Sequence, residues 1–144
     1  MDEVAQAISR FANSFDLKDW QSLEDLLAEH VEVDYSDLRG ERATLPRSDY
    51  VAQRRSALDS LETHHLLSNT EIETLADSAT CRASGLIQRR RGERFFDSHV
   101  IYLFRLERRS GSWCICSITQ KVLWNEGDPS IHPGADRSSG APAA

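Results

Sequence analysis

Apolar residues recur every three or four positions at the beginning of the chain, which is the spacing of one face of a helix. The first run predicts an amphipathic helix that ends near Asp16. Its apolar positions are Val4, Ala5, Ile8, Phe11, Ala12 and Phe15. A second run over residues 20–27 predicts a shorter helix that ends at His30. Residues 31–35 then alternate between apolar and polar, which predicts a strand with Tyr35 on its inner face.

Strand-forming residues dominate the rest of the chain after one more helix. Residues 36–47 contain Gly, Pro and several charges and predict a loop. Ser48 is the expected N-cap of a third helix that closes near Glu62. Thr, Ile, Val, Phe and Tyr then accumulate between turn residues, which predicts four strands in antiparallel hairpin order. These strands are expected at residues 63–75, 80–91, 93–107 and 112–124.

The order of these elements predicts an α+β domain, because the helices are segregated from an antiparallel sheet. A strongly twisted sheet would curl around the helices, and its concave face would form a pocket lined by the first helix and the inner strand faces. Beyond Trp124 the chain turns to Gly, Pro, Ser and Ala. We expect residues 125–133 to lie along the barrel and residues 136–144 to be mobile.

Composition and charge narrow the class of protein. The chain has 144 residues, 40% of them hydrophobic and 28% charged, which is enough for one soluble domain with its own core. No apolar run approaches the roughly 20 residues of a membrane span, and the acidic beginning is unlike a secretion signal, so we expect a cytoplasmic protein. A net charge of -6 and only two lysines argue against a nucleic-acid binder. The three cysteines lack the spacing of a zinc site.

Candidate chemistry lies at titratable residues on predicted interior positions, namely Asp16, Tyr35, His65 and His99. Strand alternation places His65 with Leu67 and Asn69 on one face and His64 on the other, so one of the two histidines points inward. An inward histidine whose second ring nitrogen contacts a carboxylate is a general base. A histidine at the start of a strand is also often a surface or structural residue, and spacing alone leaves both interpretations open.

The hairpin around residue 92 and the strand that follows it have two further features. Four arginines flank its turn, namely Arg89, Arg90, Arg91 and Arg94. A solvated, charged hairpin explains them, and the functional alternative is that one arginine reaches the pocket and stabilises an anionic intermediate. His99 shares a strand face with Asp97 and Ile101, and a slip of one residue in register would expose it.

Several segments resemble scytalone dehydratases in the same order along the chain. They are Ala-Asn-Ser-Phe-Asp-Leu-Lys-Asp-Trp at 12–20, Val-Asp-Tyr-Ser at 33–36, Thr-His-His-Leu at 63–66, and residues 113–124. From about residue 5 to residue 128, the chain resembles the SnoaL-like group of the nuclear transport factor two superfamily, which includes hexachlorocyclohexane dehydrochlorinase. The resemblance implies a cone-like α+β barrel, in which a curved antiparallel or mixed sheet wraps around the N-terminal helices and encloses a pocket.

The resemblance also implies catalytic roles for individual residues. Asp16 and His65 match the catalytic Asp-His pair of the dehydratases, in which the histidine is the base and the aspartate orients it. Tyr35 matches a tyrosine that holds the substrate carbonyl through water. Phe15 stands where the family has a second such tyrosine, so this chain lacks that hydroxyl.

Substrate-binding residues follow less directly from the resemblance. The second catalytic histidine of the dehydratases falls near Arg89 or Arg90, and the Ser and Asn of their inner strand fall near His99 and Ile101. We expect Asn69 or His99 to assist Tyr35 in polarising the carbonyl. The expected substrate-binding set is Phe15, Asn69, His99 and Arg89.

The implied activity is that of a lyase that needs no cofactor or metal and abstracts a proton next to a carbonyl. Its expected partner is a small apolar or aromatic, polyketide-like ring compound, with no nucleic acid or membrane involved. The same pair could serve a steroid-isomerase-like or polyketide-cyclase-like enzyme. The fold also occurs in noncatalytic assembly modules, such as the small subunit of ring-hydroxylating dioxygenases. A closed pocket containing His65 against Asp16 would favour an enzyme.

Domain limits and assembly complete these expectations. Residues 1–128 are expected to form a single SnoaL-like domain and residues 129–144 a flexible tail. An open curled sheet leaves an outer face that a monomer would expose. Its apolar residues are expected to be Val100, Tyr102, Phe104 and Ile115 or their alternating neighbours. We expect a homo-oligomer, with a trimer favoured over a dimer.

Overall fold

A computed structural model describes residues 2–39 and 42–132 of the chain. The helices are α1 (Glu3–Asp16), α2 (Trp20–Leu26), α3 (Ser36–Arg39), α4 (Arg47–Leu58) and a final 3-10 turn (Pro129–Ile131). The strands are β1 (Leu27–Asp34), β2 (Arg42–Pro46), β3 (Glu62–Leu75), β4 (Ser78–Arg91), β5 (Arg94–Arg109) and β6 (Ser112–Gly127).

The six strands form one curved sheet in the order β2-β1-β6-β5-β4-β3. Strand β1 runs parallel to β6, and the other neighbouring pairs are antiparallel. Helix α1 begins at an Asp2 side chain that accepts hydrogen bonds from the first backbone N–H groups, and it buries Ile8, Phe11 and Phe15 in the core. This arrangement confirms the predicted α+β class, with a mixed sheet wrapped around N-terminal helices.

Helix α2 ends at Leu26 rather than at the predicted His30, because its last predicted turn belongs to β1. Leu27 pairs with Ile115 of β6, and His30 pairs with Pro46 of β2. Pairing within the sheet therefore overrides the helical spacing of the apolar residues.

The predicted loop at residues 36–47 is wrong in part, because it contains α3 and the edge strand β2. The side chains of β2 are exposed except for the half-buried Leu45, so the strand has no buried face to produce an alternating pattern. One packed side chain is not enough to produce a sequence pattern from which the strand could be predicted.

Helix α4 begins directly after β2, so Ser48 is not its N-cap. Pro46 occupies the cap position and makes no side-chain cap bond, and Arg47 is the first helical residue. The helix ends at Leu58 rather than near Glu62, which is already the first residue of β3.

Strand β5 turns alternate residues toward the helices and away from them. Its buried side chains include Phe96, Ser98, Val100, Tyr102 and Phe104. Of the two sets of residues expected for the outer face, Val100, Tyr102, Phe104 and Ile115 are buried, and their alternating neighbours occupy the outer face. Leu103 and Trp124 are among the exposed apolar side chains there. The homo-oligomer stays a prediction.

Gly85 of β4 makes room for the inner side chains of β5. A Cβ at this position would lie 2.9 Å from Val100 Cγ2 and 3.1 Å from Tyr102 Cε2. Because such contacts are closer than van der Waals packing allows, a larger residue would displace the Tyr102 ring. The close approach holds that ring in the interior.

The end of the described chain packs onto the sheet. Ile131 is fully buried, and the Arg94 side chain holds Asp128 through an Nε–Oδ2 hydrogen bond of 2.8 Å. Hydrogen bonds from Ser130 and Arg94 lower the pKa of Asp128 to about 2. The mobile tail predicted for residues 136–144 lies outside the described residues, and the domain limits stay a prediction. No described helix is both long and apolar enough to cross a membrane.

Candidate active site

Asp16 and His65 meet where the end of α1 faces the start of β3. His65 Nδ1 lies 2.6 Å from Asp16 Oδ1, and the His65 backbone N–H donates to Asp16 Oδ2 at 2.7 Å. The Thr63 hydroxyl donates to Asp16 Oδ1 at 3.2 Å. Only 7% of the His65 side chain and 13% of the Asp16 side chain are exposed. The backbone contact fixes the carboxylate, and the carboxylate in turn fixes the imidazole.

These contacts determine the protonation of the ring. An ionised carboxylate only accepts hydrogen bonds, so Nδ1 carries the hydrogen and Nε2 is the basic nitrogen. Burial lowers the pKa of His65 below its ordinary value of 6.5, although the bond to Asp16 opposes this shift. The imidazole is therefore neutral near pH 7. The Phe15 ring stacks on it with the centroids 5.2 Å apart, which holds its plane.

His65 lines a small cavity between the helices and the concave face of the sheet. The apolar part of its wall consists of Phe15, Leu38, Leu58 and Ile87. The polar part consists of Tyr35, Arg54, His65, Arg89, Tyr102, Gln120 and His132. Its volume of about 30 Å³ is room for about two water molecules. A ring compound is larger, so binding one requires parts of this wall to move outward.

A pair of tyrosine hydroxyls lies in the same region. Tyr35 Oη and Tyr50 Oη are 2.7 Å apart, and both side chains are buried. Either hydroxyl can donate the hydrogen of the bond between them. Tyr50 is buried in the core behind Tyr35 and does not itself line the cavity.

Arg89 differs from the other arginines of its hairpin because its side chain points inward. It is 2% exposed, and its guanidinium donates to Ser98 Oγ at 2.9 Å and lies over the Phe96 ring at 5.1 Å. Arg90 instead pairs with Asp97 at 2.7 Å. The solvated-hairpin interpretation therefore fits Arg90, whereas Arg89 brings a positive charge to the cavity wall. This charge also contributes to lowering the pKa of His65.

The family described as SnoaL-like domain matches residues 1–119. The chain belongs to the SnoaL-like family. This confirms the resemblance seen in the sequence and places the chain in the nuclear transport factor two superfamily. No curated protein matches the chain significantly.

Solved structures share the fold of this SnoaL-like chain. The Kfla4162 protein from Kribbella flavida has 22% sequence identity and a TM-score of 0.82, over 86% of this chain and 90% of the other. A candidate scytalone dehydratase from Novosphingobium aromaticivorans DSM 12444 has 18% identity and a TM-score of 0.78, over 88% and 85%. The hexachlorocyclohexane dehydrochlorinase LinA-type3 from Novosphingobium barchaimii LL02 has 15% identity and a TM-score of 0.73, over 90% of each chain. At these identities the likeness shows the fold alone.

Two expected substrate-binding residues lie away from the cavity of this SnoaL-like domain. Asn69 is exposed at a β-bulge, where its φ of 52° breaks the alternation that would have kept it on the face of His65. His99 lies on the outer face of β5 and stacks on Trp124, with ring centroids 4.2 Å apart. Tyr35, Phe15 and Arg89 do line the cavity. The roles assigned to all these residues stay predictions.

Other residues in the SnoaL-like cavity were missed by the sequence analysis. Gln120 follows Ile118 at the same parity in β6, so alternation along that strand could have placed it inside. Alternation in β5 does not show whether Tyr102 lies inside. His132 is 3% exposed and follows the 3-10 turn, in a stretch that was expected to lie along the barrel but not to reach the cavity.

Proposed function

We propose that this SnoaL-like protein is a lyase that removes water, or a similar leaving group, from a small and largely apolar ring compound. The observation that carries the proposal is the buried Asp16–His65 pair, with Nδ1 held at 2.6 Å and the ring lining a small cavity. A neutral imidazole of fixed tautomer in a buried position is an effective general base near neutral pH. An assembly module has no need of such an arrangement.

The reaction begins at the carbon next to a ring carbonyl. His65 Nε2 takes the proton from that carbon, the C–H electron pair forms the new carbon–carbon double bond, and the bond to the β-hydroxyl breaks. The resulting imidazolium returns its proton to the departing hydroxyl, which leaves as water. Asp16 stabilises the imidazolium between the two steps, and the histidine ends neutral again.

Two cavity residues would stabilise the negative charge that collects on the carbonyl oxygen during proton removal. The Tyr35 hydroxyl, on the cavity wall, would donate a hydrogen bond to that oxygen. The Arg89 guanidinium adds a positive charge in a site of low dielectric, where its effect on an enolate is large. Because Phe15 has no hydroxyl, stabilisation of the carbonyl oxygen depends on Tyr35 and Arg89.

The names of two structural neighbours support the reaction class. A scytalone dehydratase and a hexachlorocyclohexane dehydrochlorinase are both elimination enzymes, and both share the fold of this chain. Isomerisation and cyclisation would begin with the same proton transfer and differ in their later steps. Product analysis therefore distinguishes them.

The test uses 3-hydroxy-1-tetralone, a bicyclic β-hydroxy ketone whose dehydration product rearranges to the fluorescent 1-naphthol, together with other ring β-hydroxy ketones. We expect the full chain to accelerate product formation and His65→Asn to lower the rate about 100- to 10,000-fold. His64→Asn is the matched control, since His64 is the exposed neighbour on the other face. Its rate should stay within about twofold of wild type.

Deuterium exchange at the carbon next to the carbonyl tests proton abstraction separately. If the chain catalysed exchange but no loss of water with any of the ring β-hydroxy ketones, an isomerase would replace the lyase as the proposed function. A wild-type chain that catalyses neither exchange nor elimination, or a His65→Asn variant as active as wild type, would contradict the proposal. Equal melting temperatures of the two variants ensure that the comparison concerns chemistry.

A further inference from the structure

Gln120 contributes a buried amide to the cavity wall. Its side chain is 4% exposed, and its Nε2 donates to the Tyr102 hydroxyl at 3.1 Å. Its Oε1 is buried and has no hydrogen-bond partner within the described residues. The amide is thus held at one end and unsatisfied at the other.

An unsatisfied acceptor in the interior requires an explanation, because nearly all buried polar atoms in folded proteins are paired. Asn125 Oδ1 also lacks a partner within the described ranges, but Asn125 does not line the cavity. Gln120 does line it, so a ligand that moves the wall outward comes to lie beside this side chain and its buried oxygen. A leucine or methionine would fill the same space without an unpaired oxygen, which makes a purely packing role a poor explanation.

The strand order places Gln120 across the cavity from the base. Gln120 lies on β6 and His65 on β3, with β4 and β5 between them. Three strand spacings amount to about 14 Å in a flat sheet, and the curvature brings both side chains to one cavity. A ligand that contacts both residues therefore carries polar groups at two separate positions of a ring framework.

We propose that Gln120 Oε1 accepts a hydrogen bond from a hydroxyl or N–H group of the substrate, at the end remote from the carbon that His65 deprotonates. This inference rests on the proposed lyase function and narrows its substrate class to hydroxylated or amino-substituted ring ketones. The fixed Gln120–Tyr102 contact orients the acceptor before the ligand arrives. A ligand with a methyl group at that position leaves the oxygen unpaired and is rejected.

The test measures binding of ketones that cannot react, because they lack the β-hydroxyl. The probes are 6- and 7-hydroxy-1-tetralone, each compared with its methyl counterpart by isothermal titration calorimetry on the full chain. We expect one hydroxy compound to bind wild type at least about tenfold more tightly than the methyl compound. In Gln120→Met this preference should fall to within about twofold, through weaker binding of the hydroxy compound alone.

Two further variants keep the test specific. Gln120→Glu retains an acceptor oxygen and should restore most of the preference. Gln88→Met makes the same substitution at a half-buried glutamine of β4 whose side chain does not line the cavity, and it should leave the preference unchanged. Gln120→Met should melt close to wild type, because removal of an unsatisfied buried oxygen offsets loss of the hydrogen bond to Tyr102.

Absence of a hydroxyl preference in wild type, or its persistence in Gln120→Met, would overturn the inference. A ligand complex in which only a water molecule contacts Gln120 Oε1 would do the same. Because the probes are not turned over, these outcomes leave the lyase proposal standing. Conversely, if the chain preferred the hydroxy compound but catalysed no elimination, the lyase proposal would be contradicted and Gln120 would still be a binding residue.

Discussion

The two polar walls of the cavity differ in how completely they are paired. On one wall, Asp16 accepts three hydrogen bonds from Thr63 and from the backbone and ring of His65. On the other, Gln120 makes one bond to Tyr102 and leaves its Oε1 without a partner within the described residues. The first wall is complete before any ligand binds, whereas the second lacks a donor. The comparison indicates a base that is preorganised and a recognition group that the ligand completes.

The largest expected effect is the loss of turnover in Asp16→Asn, which removes the charge from the fully paired wall. The amide still accepts a hydrogen bond, but its lost charge no longer stabilises the imidazolium that forms when His65 takes a proton. We expect turnover of ring β-hydroxy ketones to fall about 100- to 10,000-fold, with the affinity for 6- or 7-hydroxy-1-tetralone nearly unchanged. Steady-state rates and calorimetry check the two parts.

Asp19→Asn is the matched control for this substitution, because Asp19 is a helix cap outside the cavity and asparagine caps helices well. It should leave turnover near the wild-type value. If Asp16→Asn lost affinity and turnover by the same factor, the pair would be holding the cavity together rather than preparing a base.

A smaller effect is expected from Arg89→Met, which removes the positive charge between the two walls. Loss of enolate stabilisation should lower turnover about 10- to 100-fold. Because Arg89 contributes to lowering the pKa of His65, its removal raises that pKa, and the acidic limb of the kcat/KM profile moves to higher pH. Arg89→Lys keeps the charge and should keep the limb in place.

Arg90→Met provides the comparison for this effect, since Arg90 pairs with Asp97 away from the cavity. A pH profile that moves equally in both arginine variants would show that the overall charge of the hairpin, and not the position of Arg89, controls the base.

The smallest expected effect concerns stability rather than rate. The pKa of His65 is lowered in the folded state, mainly by burial, from an ordinary value of 6.5. Below pH 6.5 the unfolded chain therefore binds a proton that the folded chain does not, and the free energy of unfolding falls until the pH reaches the folded-state pKa. His65→Asn lacks this contribution. Urea unfolding between pH 7 and 4.5 should show a steeper loss of stability in wild type than in the variant.

His64→Asn serves as the reference for that measurement, since it makes the same substitution at the exposed neighbouring position. If wild type and His65→Asn lost stability in parallel as the pH fell, His65 would not be held neutral by the fold.

Local patterns in the sequence carried part of the prediction of the Asp16–His65 pair. The spacing of apolar residues ended α1 near Asp16, alternation in β3 placed either His64 or His65 on the inner face, and the family resemblance selected His65. The first two inferences depend on periods that a helix or strand imposes on its own residues. The same rule failed for Asn69 because the bulge in β3 changes the alternation, and a bulge depends on pairing with β4.

The sequence by itself determined the α+β class, the approximate limits of α1 and the four long strands, and the chemistry available at Asp16 and His65. Only the tertiary structure decided which face of β5 lies inside, because Phe and Leu occur on both faces and alternation defines two sets of residues without choosing between them. Pairing with β4 and β6 made that choice, and it sent His99 outward and Tyr102 inward. His132 also joined the cavity through packing, since burial against elements distant in sequence is a property of the packed chain and not of any local period.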